Sequence, residues 1–189
     1  MEACSEKPYL LARGWLYGEI MKWITRQFVH VDRVACPWLI RKFVDPEAEF
    51  FFVPAQEVDG RVKELGATPF DVPGAELGHH GDKCSFDAII AKYNLHDEAL
   101  QDLADIVRAA DVDLPHSSSR EAFGLEAIAD GSTMIAKDDA EAIDKGAYVY
   151  DSLYAHCQLQ RLRGRHALEL EGMNKVQRRQ FLREKLLGQ

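Results

Sequence analysis

The chain contains no C-x-x-C pair, and its cysteines are few for its length. Four cysteines stand among 189 residues, at positions 4, 36, 84 and 157. Such wide spacing excludes a zinc ribbon or a thioredoxin-type motif, and it differs from the dense cysteine framework of small secreted proteins. We therefore expect reduced thiols and a cytoplasmic protein.

Long apolar runs are also missing. No stretch approaches the roughly 18 consecutive apolar residues that a membrane-spanning helix needs, so no membrane partner is expected. The first residues have a very short apolar centre and an acidic start, which does not fit a secretory signal. Residues 1–20 precede Met21 and a strand-like segment, and we expect them to be an N-terminal extension.

Positive charge is scarce except at one end. The formal net charge is -8 and the pI is about 5.4, which makes nucleic acid an unlikely partner for the chain as a whole. Residues 160–189 are the exception, because eight Lys or Arg against three Glu give this segment a charge of +5. The basic end is either a solvated helix or a surface for an acidic partner, for the protein's own body or for RNA.

The first half of the chain predicts a small sheet. Residues 22–25 and 48–54 are rich in aromatic and β-branched residues and are typical of short strands. A helix is predicted between them, with Asp32 as its cap and Asp45-Pro46 at its end. Two further short strands are predicted at "TPF" and "AELGHH", in a region of frequent glycine and proline.

From Ser85 onward the spacing of apolar residues becomes helical. Ser85 and Asp97 are predicted caps of two helices, and a capping box of Ser118 with Glu121 opens a third that ends at Gly131. A long helix is predicted over 139–162 and a basic one over 174–187. The fold class is therefore α+β and mostly α, with a small β-sheet in the first half packed on a helical bundle.

The stretch "LGHHGDKCSFD", residues 77–87, concentrates side chains that bind metals. His79, Cys84 and Asp87 are ligand types for a divalent metal ion, whose identity the sequence does not specify. Cys84 also lies at a predicted helix start, where unpaired N–H groups favour anions and thiolates. An ordinary loop leading into a helix explains the same residues, so both interpretations stay open.

Two more segments carry candidate residues. Arg33 and Cys36 lie near the start of the first helix, where guanidinium and N–H donors could clamp an oxyanion. Arg108 and Asp111 are three residues apart on a later helix, where they could form an ion pair or contribute to a site. Capping, packing and solvation account for these residues equally well.

Four segments stand out: WITRQFVHVDRVACPWLIRKFVDPEAEFFFVP, GATPFDVPGAELGHHGDKCSFDAIIAKYNL, LADIVRAAD and YVYDSLYAHC. Together they resemble the C-terminal domain family of the chromate resistance protein ChrB. The most specific blocks are DRVACPWLI, at residues 32–40, and HHGDKCSFD, at residues 79–87. LADIVRAAD and YVYDSLYAHC follow in the same order. The resemblance runs from about Met21 to Cys157, so we expect an extension (1–20), a domain of this family (21–160) and a basic helical tail (161–189).

The resemblance implies a link to chromate resistance, in the setting of a chromate efflux pump and of chromate-responsive regulation. It also places all the candidate site residues within recognisable motifs: Arg33, Cys36, His79, Cys84, Asp87, Arg108 and Asp111. A polar, thiol-bearing set of this kind raises the weight of a binding site over simple packing.

Two functional hypotheses follow, beside a third, disfavoured by the acidic body, in which the chain is a transcriptional or scaffolding partner that uses its basic tail. In the first, the chain is a resistance-associated domain that senses or handles chromate, a related oxyanion or a metal ion. Arg33 and Arg108 would hold the anion, and Cys36 or Cys84 could reduce it. In the second, it is a metal-dependent enzyme with His79 and Asp87 as ligands. Cys84 would be a third ligand or a nucleophile, and Asp111 an acid, a base or a further ligand. Self-association is compatible with either hypothesis.

Overall fold

A three-stranded parallel sheet forms the first half of the chain. In the computed structural model, which describes residues 20–112 and 119–188, the strands are β1 (Lys22–Arg26), β2 (Glu49–Val53) and β3 (Thr68–Pro69), in the order β2-β1-β3. The three corresponding strand predictions are confirmed. The fourth, at "AELGHH", is wrong: that segment makes only isolated bridges, because Gly74 and Gly81 adopt left-handed turns with φ of 79° and 65°.

Helices connect the strands. Helix α1 (Val31–Phe43) links β1 to β2, and α2 (Val58–Leu65), which we did not predict, links β2 to β3. Because β2 and β3 lie on opposite sides of β1, the winding of the chain reverses between β1 and β3. In parallel sheets such a switch point opens a crevice outside the carboxyl ends of the strands, and this is where ligands usually bind.

The second half is helical, as predicted. Its helices are α3 (Ser85–Lys92), α4 (Glu98–Asp111), α5 (Arg120–Ile135), α6 (Asp139–Arg165), α7 (Ala167–Leu170) and α8 (Lys175–Leu187). The cap at Asp97 is confirmed, since its carboxylate accepts from the backbone N–H of Leu100. Together with the small sheet these helices confirm an α+β fold that is mostly α.

Three predicted helix limits were wrong or cannot be compared. Cys84, not Ser85, occupies the N-cap of α3. Helix α5 continues past Gly131 to Ile135, since a single glycine lowers helix stability without ending the helix. Ser118 of the predicted capping box lies outside the described residues, and Ser119 caps α5 by accepting from Ala122.

Helix α1 lies at the centre of the packing and contacts α3, α4 and α6. The ring of Trp38 lies between the rings of Phe43, Phe86, Tyr150 and Tyr154, with centroid distances of 5.8 to 6.3 Å. Such aromatic contacts add to the burial of apolar surface and fix the relative position of the helices. The buried start of α1 is thereby held against the bundle.

The C-terminal helices form a smaller apolar cluster of their own. Leu162, Leu170 and Leu182 are buried together where α8 folds back on α6. The predicted boundary at residue 160 falls within α6, which runs unbroken to Arg165. The division into a domain and a tail therefore stays a prediction.

Candidate functional site

Four titratable side chains meet in the crevice at the switch point. Asp32 lies in the first turn of α1 after β1, Asp71 follows β3, His79 lies in the next loop, and Asp111 ends α4. We call these four residues the Asp–His cluster. Parallel strand order brings Asp32 and Asp71 to the same edge of the sheet, as expected for residues that follow neighbouring parallel strands.

The imidazole of His79 is the centre of the cluster. Its Nε2 atom lies 3.4 Å from Oδ2 of Asp32, 3.3 Å from Oδ1 of Asp71 and 3.2 Å from Oδ2 of Asp111. Ligand atoms of Asp32, His79 and Asp111 all lie within 4.8 Å of one another. Two ligands bound at about 2.1 Å in tetrahedral geometry are separated by roughly 3.4 Å, so these spacings match the edges of a metal coordination sphere.

Asp32 is the most deeply buried member, with 1% of its surface exposed. It was predicted to cap its own helix, and that is wrong, because His30 occupies the N-cap of α1. Asp32 instead accepts from the N–H groups of Ser85, at 2.7 Å, and Phe86, at 3.1 Å. It thus satisfies the first two donors of α3 from another helix, in a favourable position for a negative charge.

The other two carboxylates are also held in place. Asp71 accepts at Oδ2 from Arg26 and Arg33, each at 3.1 Å, while its Oδ1 faces His79 and accepts from the hydroxyl of Ser85 at 3.4 Å. Its backbone has a φ of 46°, a conformation that costs a residue with a side chain about 1 kcal/mol or more. Asp111 accepts from the N–H of Asp32 at 3.2 Å, and its second oxygen faces His79. Groups fixed by such second partners are typical of metal ligands.

The cluster perturbs the pKa of His79, Asp71 and Asp111. The hydrogen bond to Asp32 raises the pKa of His79 from its usual 6.5 to about 9, against the opposing effect of burial. Burial, followed by the charges of Asp32 and Asp71, raises the pKa of Asp111 to about 6. Burial and the charge of Asp32 also raise the pKa of Asp71. At neutral pH His79 is therefore protonated. The proton on its Nε2 faces the carboxylate oxygens that would surround a bound cation.

The raised pKa of His79 predicts a pH-dependent stability for the chain kept free of metal by chelator. Protonated His79 stabilises the fold fully below pH 6.5, and this stabilisation is lost as the pH rises through about 9. The pKa difference corresponds to about 3 kcal/mol. Because 41% of the His79 side chain is exposed, screening by solvent reduces the expected loss to about 1 kcal/mol.

Urea unfolding between pH 6 and pH 9.5 measures this effect as the difference between the unsubstituted chain and His79→Gln. The difference should shrink as the pH rises, whereas His80→Gln, whose ring lies outside the cluster, should show a constant offset. Parallel profiles for the chain and for His79→Gln would contradict the prediction.

The two predicted thiols of the site lie behind the cluster and not in it. Cys36 donates from Sγ to Oδ1 of Asp32, at 3.4 Å, and Cys84 donates from Sγ to Asp87, at 3.5 Å. Burial, followed by the charge of Asp32, raises the pKa of both thiols well above its usual value. Both are therefore protonated at neutral pH, which is the weakly reactive form for nucleophilic attack, reduction or metal binding.

Asp87 and Arg108 pair with each other. Asp87 closes a capping box by accepting from the N–H of Cys84, at 3.1 Å, and its other oxygen accepts from Arg108 at 2.6 Å. Arg108 also contacts Asp105, so its expected pairing with Asp111 is replaced by two other carboxylates. Of the three residues predicted to bind metal, His79 belongs to the cluster, while Cys84 and Asp87 serve the N-terminus of α3.

Arg33 is engaged in the same way. Its guanidinium donates to Asp71 and to the backbone oxygen of Phe28, at 3.0 Å. A guanidinium already paired with a carboxylate is a weak attractor for a further anion. The predicted oxyanion-binding residues, Arg33 and Arg108, therefore both act here as partners of aspartates.

His79 and Asp111 were predicted as site residues from their residue types, whereas the chemical roles of Asp32 and Asp71 were not predicted. Asp32 had been assigned to a helix cap, and Asp71 lies in a segment of frequent glycine and proline. Both residues follow strands that pair in parallel, and this pairing would have placed them together. The pairing itself, however, is known only from the strand order in the structure.

The sequence model for the ChrB C-terminal domain matches residues 23–157, and the chain belongs to this family. The matched range contains the whole Asp–His cluster. Over 136 residues the chain is 39% identical to Protein ChrB of Cupriavidus metallidurans. The aligned part covers 71% of this chain and 40% of that protein. No solved structure matches the chain.

Within residues 20–112 and 119–188, no helix combines the length and the apolar character needed to cross a bilayer.

Proposed function

We propose that this chain is a chromate-resistance-associated domain that binds a divalent metal cation at the Asp–His cluster, and so senses or handles metal. The observation that carries the proposal is the convergence of Asp32, Asp111 and His79 within 4.8 Å, with Asp71 as a further oxygen donor. A binding role fits the family's association with chromate resistance. The proposal does not extend to the activity of the full-length relative, because the aligned part covers 40% of that protein.

A cation fits this site better than an anion. Three carboxylates surround a single imidazole, and the two arginines nearest to them are already paired with Asp71. Chromate is a dianion and would be repelled by Asp32 and Asp111 at short range. Mixed oxygen and nitrogen donors suit first-row divalent ions such as Mn²⁺ or Zn²⁺.

Thiol chemistry and catalysis have less support. Cys36 and Cys84, the predicted redox groups, and Cys84 also the predicted nucleophile, are buried and protonated. Asp111, the predicted acid or base, faces His79 and completes the cation site. We therefore favour binding over a metal-dependent reaction.

Calorimetry on the chelator-treated full chain tests the proposal, with ZnCl2, MnCl2 and sodium chromate as separate titrants. We expect one equivalent of at least one cation to bind, and His79→Gln to weaken binding by about 100-fold or more, since even outer partners of metal ligands contribute 10- to 100-fold. The matched control is His80→Gln, because His80 is adjacent and exposed, and in the described residues its ring bonds only the backbone oxygen of Glu76. This control should bind normally.

Two results would overturn the proposal. One is the absence of heat with both cations together with less than a tenth of an equivalent of metal in protein purified without chelator. The other is cation binding that His79→Gln leaves unchanged. Chromate binding that is equal in the chain and in His79→Gln would instead support the oxyanion hypothesis.

A further inference from the structure

The C-terminal helices enclose an apolar groove that the proposed metal site does not use. Its volume is about 850 Å³, and it lies between the end of α6, α7 and α8. The floor is formed by Leu159, Leu170, Met173, Leu182 and Leu186. These residues lie beyond position 157, where the family match ends. The groove is therefore a feature of this chain outside the matched domain.

A ring of positive charge surrounds the floor. The cations are Arg163, Lys175, Arg178, Arg179 and Arg183. Within the described residues none of the five forms an ion pair, although Arg163 donates to Gln160. By contrast, the neighbouring Arg161 and Arg165 are both paired with Glu98. A molecule that complements unpaired cations around an apolar floor is acidic and amphipathic.

Helix α5 presents a surface of that chemistry. Phe123 and Met134 are 61% and 81% exposed and lie eleven residues apart, on one line along the helix. Ile128 and Ile135 are also exposed and lie on a second line, seven residues apart. Glu126 and Asp130 are exposed beside them, and Asp130 also contacts Nε2 of His30 at 3.0 Å. Four large apolar side chains exposed on one helix form the kind of patch that marks an interaction surface.

From these two surfaces we infer that the chain associates with itself, and that α5 of one copy docks in the basic groove of another. The groove needs a helix that is apolar on one face and acidic at its edge, and α5 supplies both. The lengths also agree, since α5 has 16 residues and α8 has 13, or about 24 and 20 Å. An amphipathic helix laid in an apolar groove is a common recognition mode. This inference is independent of the proposed metal binding.

Sedimentation velocity of the full chain over a range of micromolar concentrations tests the inference. We expect concentration-dependent association that weakens with salt, because opposite charges meet at the rim. Phe123→Asp with Met134→Asp, or Arg179→Glu with Arg183→Glu, should raise the dissociation constant roughly tenfold or more. Val176→Asp is the control, since Val176 is an exposed apolar residue of α8 that does not line the groove.

Two further mixtures separate loss of contact from loss of folding. A groove variant mixed with an α5 variant retains one intact groove and one intact α5, so the mixture should associate although neither variant does alone. Adding Glu126→Lys with Asp130→Lys to the groove variant should restore self-association by reversing the charges. A chain that is monomeric at every concentration overturns the inference. Association that the α5 variant leaves unchanged would also overturn the inference, because the groove would then have to bind another acidic surface.

Discussion

Replacing Asp32 with alanine should lower the free energy of unfolding by about 3 kcal/mol and abolish cation binding. The buried carboxylate satisfies the N–H groups of Ser85 and Phe86, and each buried donor left without a partner costs about 1 to 3 kcal/mol. Relief of repulsion among the three carboxylates offsets part of this cost. The loss of binding follows because Asp32 supplies one ligand atom of the cluster.

Urea unfolding at pH 7 in the presence of chelator measures the loss of stability. Asp32→Asn should lie between the chain and Asp32→Ala, because an amide oxygen can still accept from the start of α3. The matched control is Asp82→Ala, an exposed residue of the loop before α3, which should change stability by less than about 0.5 kcal/mol. If Asp32→Ala were as stable as Asp82→Ala, the cross-helix cap would have no energetic role.

Replacing Asp111 with asparagine should raise the free energy of unfolding while also weakening cation binding. The pKa of Asp111 is raised from 3.8 to about 6, so its ionised form is less favourable in the fold than in the unfolded chain. Asparagine removes that cost, which the pKa difference places at about 3 kcal/mol. The attraction to His79 is already part of this pKa, but the new amide group must find hydrogen-bond partners of its own, so we expect a net gain of about 1 to 2 kcal/mol at pH 7.5.

The pH dependence identifies the cause of this gain. Asp111 is protonated in both the folded and unfolded states below about pH 4, so the gain should be absent there and should appear as the pH rises from 4 to 6. Thermal unfolding at pH 3.8 and 7.5 with chelator makes the comparison. Asp105→Asn is the control, since Asp105 is an exposed residue of the same helix. A gain that is the same at both pH values would show that ionisation of Asp111 is not its origin.

The order of helices and strands could be predicted because local signals agree with the fold. Aromatic and β-branched residues mark β1 and β2, and Asp97 has the cap geometry that its position suggests. Helix α2 was missed because its short sequence contains a glycine and few apolar residues. The strand predicted after β3 failed because two glycines turn the chain there.

The site was harder to predict, for a physical reason. His79 and Asp111 were selected by residue type, but their contact depends on how the loop after β3 meets the end of α4. Asp32 looked like the cap of its own helix, and its real partners are 53 and 54 residues away. Spacing along the chain carries no information about such distant pairs. The strand order β2-β1-β3 supplies it.

The cap that Asp32 gives to α3 has a consequence for how the protein folds. An eight-residue helix is not stable alone in water, and its first two donors here are satisfied only when α1 is in place. Formation of α3 is thus coupled to the closing of a loop of more than fifty residues, which slows folding. The same step brings Asp32 to within 3.4 Å of His79, so this contact of the Asp–His cluster forms together with α3.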